Sequence, residues 1–174
     1  MKFRLTLTLV PFVLLVLAGC GKKETAAPMA SNNAPATPAA PAQPAAPAVL
    51  EVEITANDAM KFNVTRIEAK PGQDVKVVLV NIGTMPKVAM GHNWVLLKKG
   101  VDAKAFITAA QVAAASEYFP ADKADQVIAH TKLLGPRQTD EVTFKAPTEP
   151  GEYEYLCSFP AHYVAGMKGV LVVK

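Results

Sequence analysis

Between Cys157 and Met167 the chain reads Cys-Ser-Phe-Pro-Ala-His-Tyr-Val-Ala-Gly-Met, so a thiol, an imidazole and a thioether recur with four residues in each gap. A second imidazole stands upstream, in Met90-Gly91-His92-Asn93-Trp94. Each residue alone has an ordinary use: cysteine as a small buried hydrophobe, methionine as core filler, histidine as a surface or satisfied core residue. Together they form a mixed sulfur and nitrogen donor set. Two imidazoles and a thiolate in a trigonal plane, with a weak axial thioether, make the mononuclear blue-copper set. Thiolate and thioether favour Cu(I), whereas imidazole serves Cu(I) and Cu(II) alike. A site that suits neither state fully needs little rearrangement between them, which speeds electron transfer. Zinc is the competing metal for Cys and His, and Met167 argues against it. The set leaves no clear coordination position for a substrate, so moving electrons fits better than catalysis.

Such a loop needs strands to hold it. Leu50 to Ile54 alternates with period two, Val64 to Ala69 is a second strand candidate, and Pro71-Gly72-Gln73-Asp74 is a turn before the β-branched run Val75 to Val80. Asn93–Leu97, Val127–Leu134, Glu141–Phe144, Tyr153–Leu156 and Gly169–Val173 complete about eight strands. Cys157 then follows one strand, Met167 precedes the last, and His92 sits at the mouth of another. Short strands with frequent turns predict an all-β, antiparallel Greek-key β-sandwich. One segment differs: Asp102–Glu117 is alanine-rich, with Phe106, Ala109, Ala110 and Ala113 at helical spacing, and Asp102 suits an N-cap. It predicts one inserted helix.

The chain has 174 residues, 51% hydrophobic and 19% charged, with a formal net charge of +3. That length fits one domain with appendages. Lys2, Arg4, Lys22, Lys23 and Glu24 account for the imbalance, and from Leu50 onward basic and acidic residues number 14 each. A neutral domain with no basic run argues against nucleic-acid binding. Residues 1–19 read as a signal peptide, with Lys2 and Arg4 ahead of the apolar run Leu5–Leu17. That run is shorter than the roughly 20 residues that span a bilayer. Leu17-Ala18-Gly19-Cys20 resembles the bacterial lipobox, which implies cleavage before Cys20 and a diacylglycerol on its sulfur. An uncleaved anchor or an ordinary cleaved signal are the other readings. Residues 20–49 then form a lipidated N-terminus and an Ala/Pro-rich tether, in which Pro28, Pro35, Pro38, Pro41, Pro44 and Pro47 favour extended conformations. Residues 50–174 are the folded domain. The expected location is the bacterial cell envelope, lipid-anchored on the periplasmic or extracytoplasmic face of a membrane. With Cys20 lipidated, Cys157 has no disulfide partner.

Met90 through Trp94, Val127-Ile128-Ala129-His130-Thr131-Lys132-Leu133 and Cys157 through Pro160 resemble the azurins of the cupredoxin family almost word for word, and the likeness extends over nearly all of Leu50–Lys174. It implies a Greek-key sandwich with a helical flap and one type 1 copper per chain at one end. By position, His92, Cys157 and His162 are the equatorial ligands, Met167 is axial, and the Gly91 carbonyl corresponds to a second weak axial contact. Asn93 matches a residue tying the two ligand loops together, and the Phe159 backbone N–H would point at the Cys157 sulfur. Met85, Met90, Phe159 and Ala161 match an apolar patch around the exposed edge of His162, suited to brief contact with a redox partner. His130 matches a surface histidine. Three departures stand out. The gap from His162 to Met167 is one residue longer than in azurins, with Gly166 the extra residue, and is closer to auracyanin, a membrane-associated blue copper protein. The azurin disulfide has no counterpart. Asn81 stands where some azurins carry a redox-linked histidine, so that pH coupling should be absent. The implied function is a lipid-anchored carrier of single electrons between a donor and an acceptor redox protein, such as cytochromes or membrane oxidoreductases, and not an enzyme. Copper storage or delivery would call for Met- or His-rich exchangeable ligands, and the arm offers only Met29. A copper enzyme such as a nitrite reductase would need a second copper site, for which only His130 is spare.

Overall fold

Strands form where alternation lets one face be buried. The computed structural model describes residues 48–174; the expected signal peptide, lipidated Cys20 and nearly all of the tether lie outside the described residues. In chain order the elements are β1 (Leu50–Asn57), β2 (Lys61–Phe62), β3 (Arg66–Ala69), β4 (Asp74–Asn81), α1 (Lys87–Met90), β5 (Val95–Leu97), α2 (Ala103–Gln111), β6 (Val127–His130), β7 (Thr139–Lys145), β8 (Gly151–Leu156) and β9 (Lys168–Val173). One sheet has the order β2-β1-β4-β7 and the other β3-β9-β8-β5-β6. β4 shows the rule: Val75, Val77, Leu79 and Asn81 are buried, and the residues between them are less so. Ile54, Val75, Val77 and Leu79 from one sheet meet Leu96, Tyr155 and Leu171 from the other in the main core, together with Trp94 just ahead of β5. β5 is buried on both faces. Leu96 enters the main core, while Val95 and Leu97 pack with Phe106 and Ile107 of α2.

The sandwich is not purely antiparallel. Five strand pairs are antiparallel, but β1–β4 and β3–β9 run parallel. Parallel neighbours need a crossover. The connection from β1 to β4 supplies one by sending β3 into the opposite sheet. The predicted Asp102–Glu117 helix is also shorter. Asp102 caps it as expected, its side chain accepting from the N–H groups of Lys104 and Ala105. α2 then buries Ala103, Phe106, Ile107 and Ala110, one stripe at helical spacing. Past Gln111 the chain turns Val112 out to solvent and offers a run of alanines, and the remainder makes a 3-10 turn at Ala114–Ser116 before Glu117 and Tyr118 enter the left-handed region at φ 56° and 61°. A second, one-turn helix, α1, was not expected. Among the described residues no helix is long and apolar enough to cross a membrane.

Candidate metal centre

His92 and Leu134 exchange backbone hydrogen bonds, at 3.1 Å from the His92 N–H and 2.7 Å from the Leu134 N–H, just before β5. Gly91 precedes it in a space with no room for a side chain: a Cβ there would lie 2.8 Å from the Lys87 carbonyl and 3.0 Å from Leu133. Cys157 follows β8 directly. Its N–H donates to the Met167 carbonyl (3.1 Å), the Met167 N–H to the His162 carbonyl (2.9 Å), and the His162 N–H to the Phe159 carbonyl (3.2 Å). The loop therefore closes on its own backbone, and both ends are held by neighbouring antiparallel strands.

These two segments bring His92, Cys157 and His162 together, with one ligand atom from each lying within 4.8 Å of the others. Cys157 Sγ is 3.3 Å from His162 Nδ1, and the two imidazole rings are 4.8 Å apart between centroids. All three residues and Met167 are buried. Among the described residues neither ring nitrogen of His92 makes a hydrogen bond of good geometry, and the Asn57 carbonyl lies near enough only to raise its pKa. A buried polar atom left unpaired is costly, and here it faces a thiol and a second imidazole that could share a metal with it. Burial lowers the His92 pKa to about 4, against the pull of the nearby Asp58 carboxylate. It does the same to His162, to about 4, with His92 adding to the effect. Both rings are thus neutral at pH 7 and offer lone pairs. Burial pushes the Cys157 thiol up to about 12, opposed by the backbone N–H groups of Asn93 and Phe159. Those N–H groups act on the sulfur in the sense that stabilises a thiolate. A buried thiol, two neutral imidazoles and a buried thioether suit a soft metal that displaces the thiol proton.

Around this group Asn93 joins the two segments. Its side-chain oxygen accepts from the Ser158 N–H and its amide donates to the Ser158 hydroxyl, both at 2.8 Å. Ser158 Oγ donates onward to the Tyr118 carbonyl (2.7 Å), a link the sequence did not signal. Asn81 is buried, its amide donating to the Leu134 and Gly135 carbonyls and its oxygen accepting from the Gly83 N–H. One expectation needs correction: His162 is only 1% exposed, so it presents no open edge. Phe159 is buried and covers the site, its ring tilted 4.7 Å from His162 and edge-on 4.9 Å from Tyr118. Met85 and Ala161 are exposed and Met90 is half-buried, and Val88, which the sequence reading passed over, is 88% exposed on the same helical turn as Met90. His130 stands apart, exposed and stacked 4.1 Å from Phe119.

Residues 48–174 match the family described as copper binding proteins, plastocyanin/azurin family. The chain belongs to this family. It is 42% identical over 124 residues to an azurin of Achromobacter denitrificans, covering 70% of this chain and 82% of the relative. It is 38% identical over 119 residues to auracyanin-B of Chloroflexus aurantiacus, covering 68% of this chain and 49% of the relative. Among solved structures, dithionite-reduced auracyanin from Roseiflexus castenholzii matches with a TM-score of 0.62 and 35% identity, over 71% of this chain and 96% of that one. Auracyanin A of Chloroflexus aurantiacus, a "blue" copper protein, matches with a TM-score of 0.63 and 35% identity, over 73% and 100%. This member of the plastocyanin/azurin family is thus a blue copper electron-transfer protein, with copper as its cofactor and a His-Cys-His group able to hold it. The family's members are electron carriers that work with redox partners.

Proposed function

We propose that His92, Cys157, His162 and Met167 hold a single type 1 copper, and that the protein carries one electron at a time between a donor and an acceptor at a membrane surface of the bacterial envelope, without catalysing a reaction of its own. The observation that carries the ligand assignment is the buried convergence of His92, Cys157 and His162, whose ligand atoms all lie within 4.8 Å of one another. Bound there, copper supplies a one-electron couple between Cu(I) and Cu(II). The chain's residues do the rest. His92 and His162 are neutral without having to release protons, Cys157 gives up its thiol proton, and the Asn93 and Phe159 N–H groups stabilise the resulting sulfur charge. The Asn93–Ser158 bonds keep the two ligand-bearing segments in register, and burial excludes water, so little reorganises when charge changes. The Gly91 carbonyl remains a candidate second axial contact. Met85, Val88, Met90 and Ala161 form an apolar surface suited to brief docking of a redox partner. The membrane role rests on the lipobox-like Leu17-Ala18-Gly19-Cys20 and the Pro-rich arm behind it.

The test is visible absorption and electron paramagnetic resonance during titration with Cu(II). The expected result is an intense blue thiolate-to-copper band with narrow copper hyperfine splitting, both lost in Cys157→Ser. A blue band retained in Cys157→Ser, or a wild-type protein that takes zinc and ignores copper, would overturn the assignment.

A further inference from the structure

The hairpin turn between β1 and β2 lies far in sequence from every proposed ligand, yet it reaches both ligand-bearing segments. On one side the Asp58 carboxylate accepts from the Thr84 N–H and hydroxyl, each at 2.9 Å, and from the Met85 N–H at 3.4 Å, gripping the chain just ahead of α1 and His92. On the other side Lys61 Nζ donates to the carbonyl of Ala165, two residues before Met167. Within the loop the N–H groups of Ala165, Gly166 and Met167 are bonded back to Ala161, Tyr163 and His162. The Ala165 carbonyl instead points out of the loop, toward the lysine.

Three features make the Lys61 contact more than a surface accident. Lys61 is fixed in register, paired opposite Asn57 beside Phe62, whose buried ring packs on Tyr155. It takes part in no ion pair among the described residues, so no carboxylate competes for its ammonium. Gly166, the extra residue of the lengthened loop, sits at φ +90°, and a Cβ there would come 3.0 Å from Lys61 Nζ. The ammonium thus occupies the space beside the loop's left-handed residue, where a side chain at position 166 would crowd it.

We propose that Lys61 is a positioning residue for the metal centre: its ammonium clamps the Ala165 carbonyl and so holds the lengthened His162–Met167 loop in the one conformation that presents Met167. The proposal rests on the reading of this loop as ligand-bearing, but its primary test needs no metal. Backbone amide hydrogen exchange is measured on the metal-free full chain for wild type, Lys61→Met and Lys61→Arg. The methionine keeps the length of the side chain and removes the donor, while the arginine restores one. Exchange at Ala165, Gly166 and Met167 should be about tenfold faster in Lys61→Met, with β4 and β8 unchanged and Lys61→Arg near wild type, as expected for loss of one charge-assisted bond. In copper-loaded protein the same variant should release copper to a chelator about tenfold faster. Unchanged exchange in Lys61→Met, or a uniform rise across both sheets that arginine does not reverse, would overturn the clamp. If wild type takes up no copper, the ligand assignment fails while the exchange result still decides Lys61.

Discussion

His92 and His162 share a condition that sets how protons and metal compete. Burial brings both pKa values down to about 4, so at pH 7 neither imidazole carries a proton for a metal to displace. Cys157 is the opposite case, its thiol held up to about 12. Metal uptake at neutral pH should therefore release about one proton per ion, all of it from Cys157. Apparent affinity should rise about tenfold per pH unit between roughly pH 5 and 9, and more steeply below about pH 4, where the two histidines also bind protons. Calorimetric titration of copper in buffers of different ionisation enthalpy checks this. Release of two or more protons at pH 7 would show that the histidines are not held neutral. Asn81 adds nothing to this balance, since an amide satisfied by the Leu134 and Gly135 carbonyls does not titrate.

Among the elements, α2 offers the cleanest prediction. Asp102 satisfies two of its otherwise unpaired N–H groups, so Asp102→Ala should cost about 1 kcal/mol, read as a lowered thermal midpoint with the blue band unchanged. α2 also shows what could be read in advance and what could not. Its start was legible because a cap is a local feature, and its stripe in part: Phe106 and Ala110 are buried as expected, but Ala103 and Ile107 take the places expected of Ala109 and Ala113. Its end was not legible, because alanine tolerates a helix and a 3-10 turn about equally, and the outcome is decided by the left-handed Glu117 and Tyr118 and the bond from Ser158 to the Tyr118 carbonyl. The strands divide in the same way. β4 and β9 declared themselves by β-branched runs, whereas two-residue β2 carries too few residues for a period. The direction of β1 beside β4 depends on where β3 goes, which no local pattern records. At the site, Cys157 and His162 were legible because one loop carries both. Asp58 and Lys61 were not, because they meet the ligand segments only through space. The full burial of His162 was not legible, because how far a neighbouring aromatic ring covers an imidazole is settled by packing and not by local pattern.

At the scale of the whole molecule, the two ends of β1 and β4 define two poles. Leu50 pairs with Val75 at one end. At the other, Asn81 bonds to Leu134, which in turn pairs with His92. Eight residues at about 3.3 Å each put the point where the chain enters β1 roughly 25 Å from the metal pole. The chain that precedes Leu50 therefore joins the domain at the end of β1 away from the His92 pole. Cys20→Ala should move the protein from the membrane to the soluble fraction of fractionated cells, while its visible spectrum stays the same. Retention in the membrane fraction would exclude lipid on Cys20 as the anchor.

The parallel pairing of β3 with β9 has a consequence in time rather than space. Arg66 must find Val170, and Ala69 must find Val173. At a ribosome the first of each pair emerges about 100 residues before the second, and such distant contacts form late because the intervening chain must first be gathered in. Until β9 arrives, β3 is an edge without a neighbour and Met167 has no strand behind it. One early strand, β3, therefore waits for the last, and a nascent chain interrupted before residue 168 would hold Cys157 and both histidines without the strand that closes the loop behind Met167.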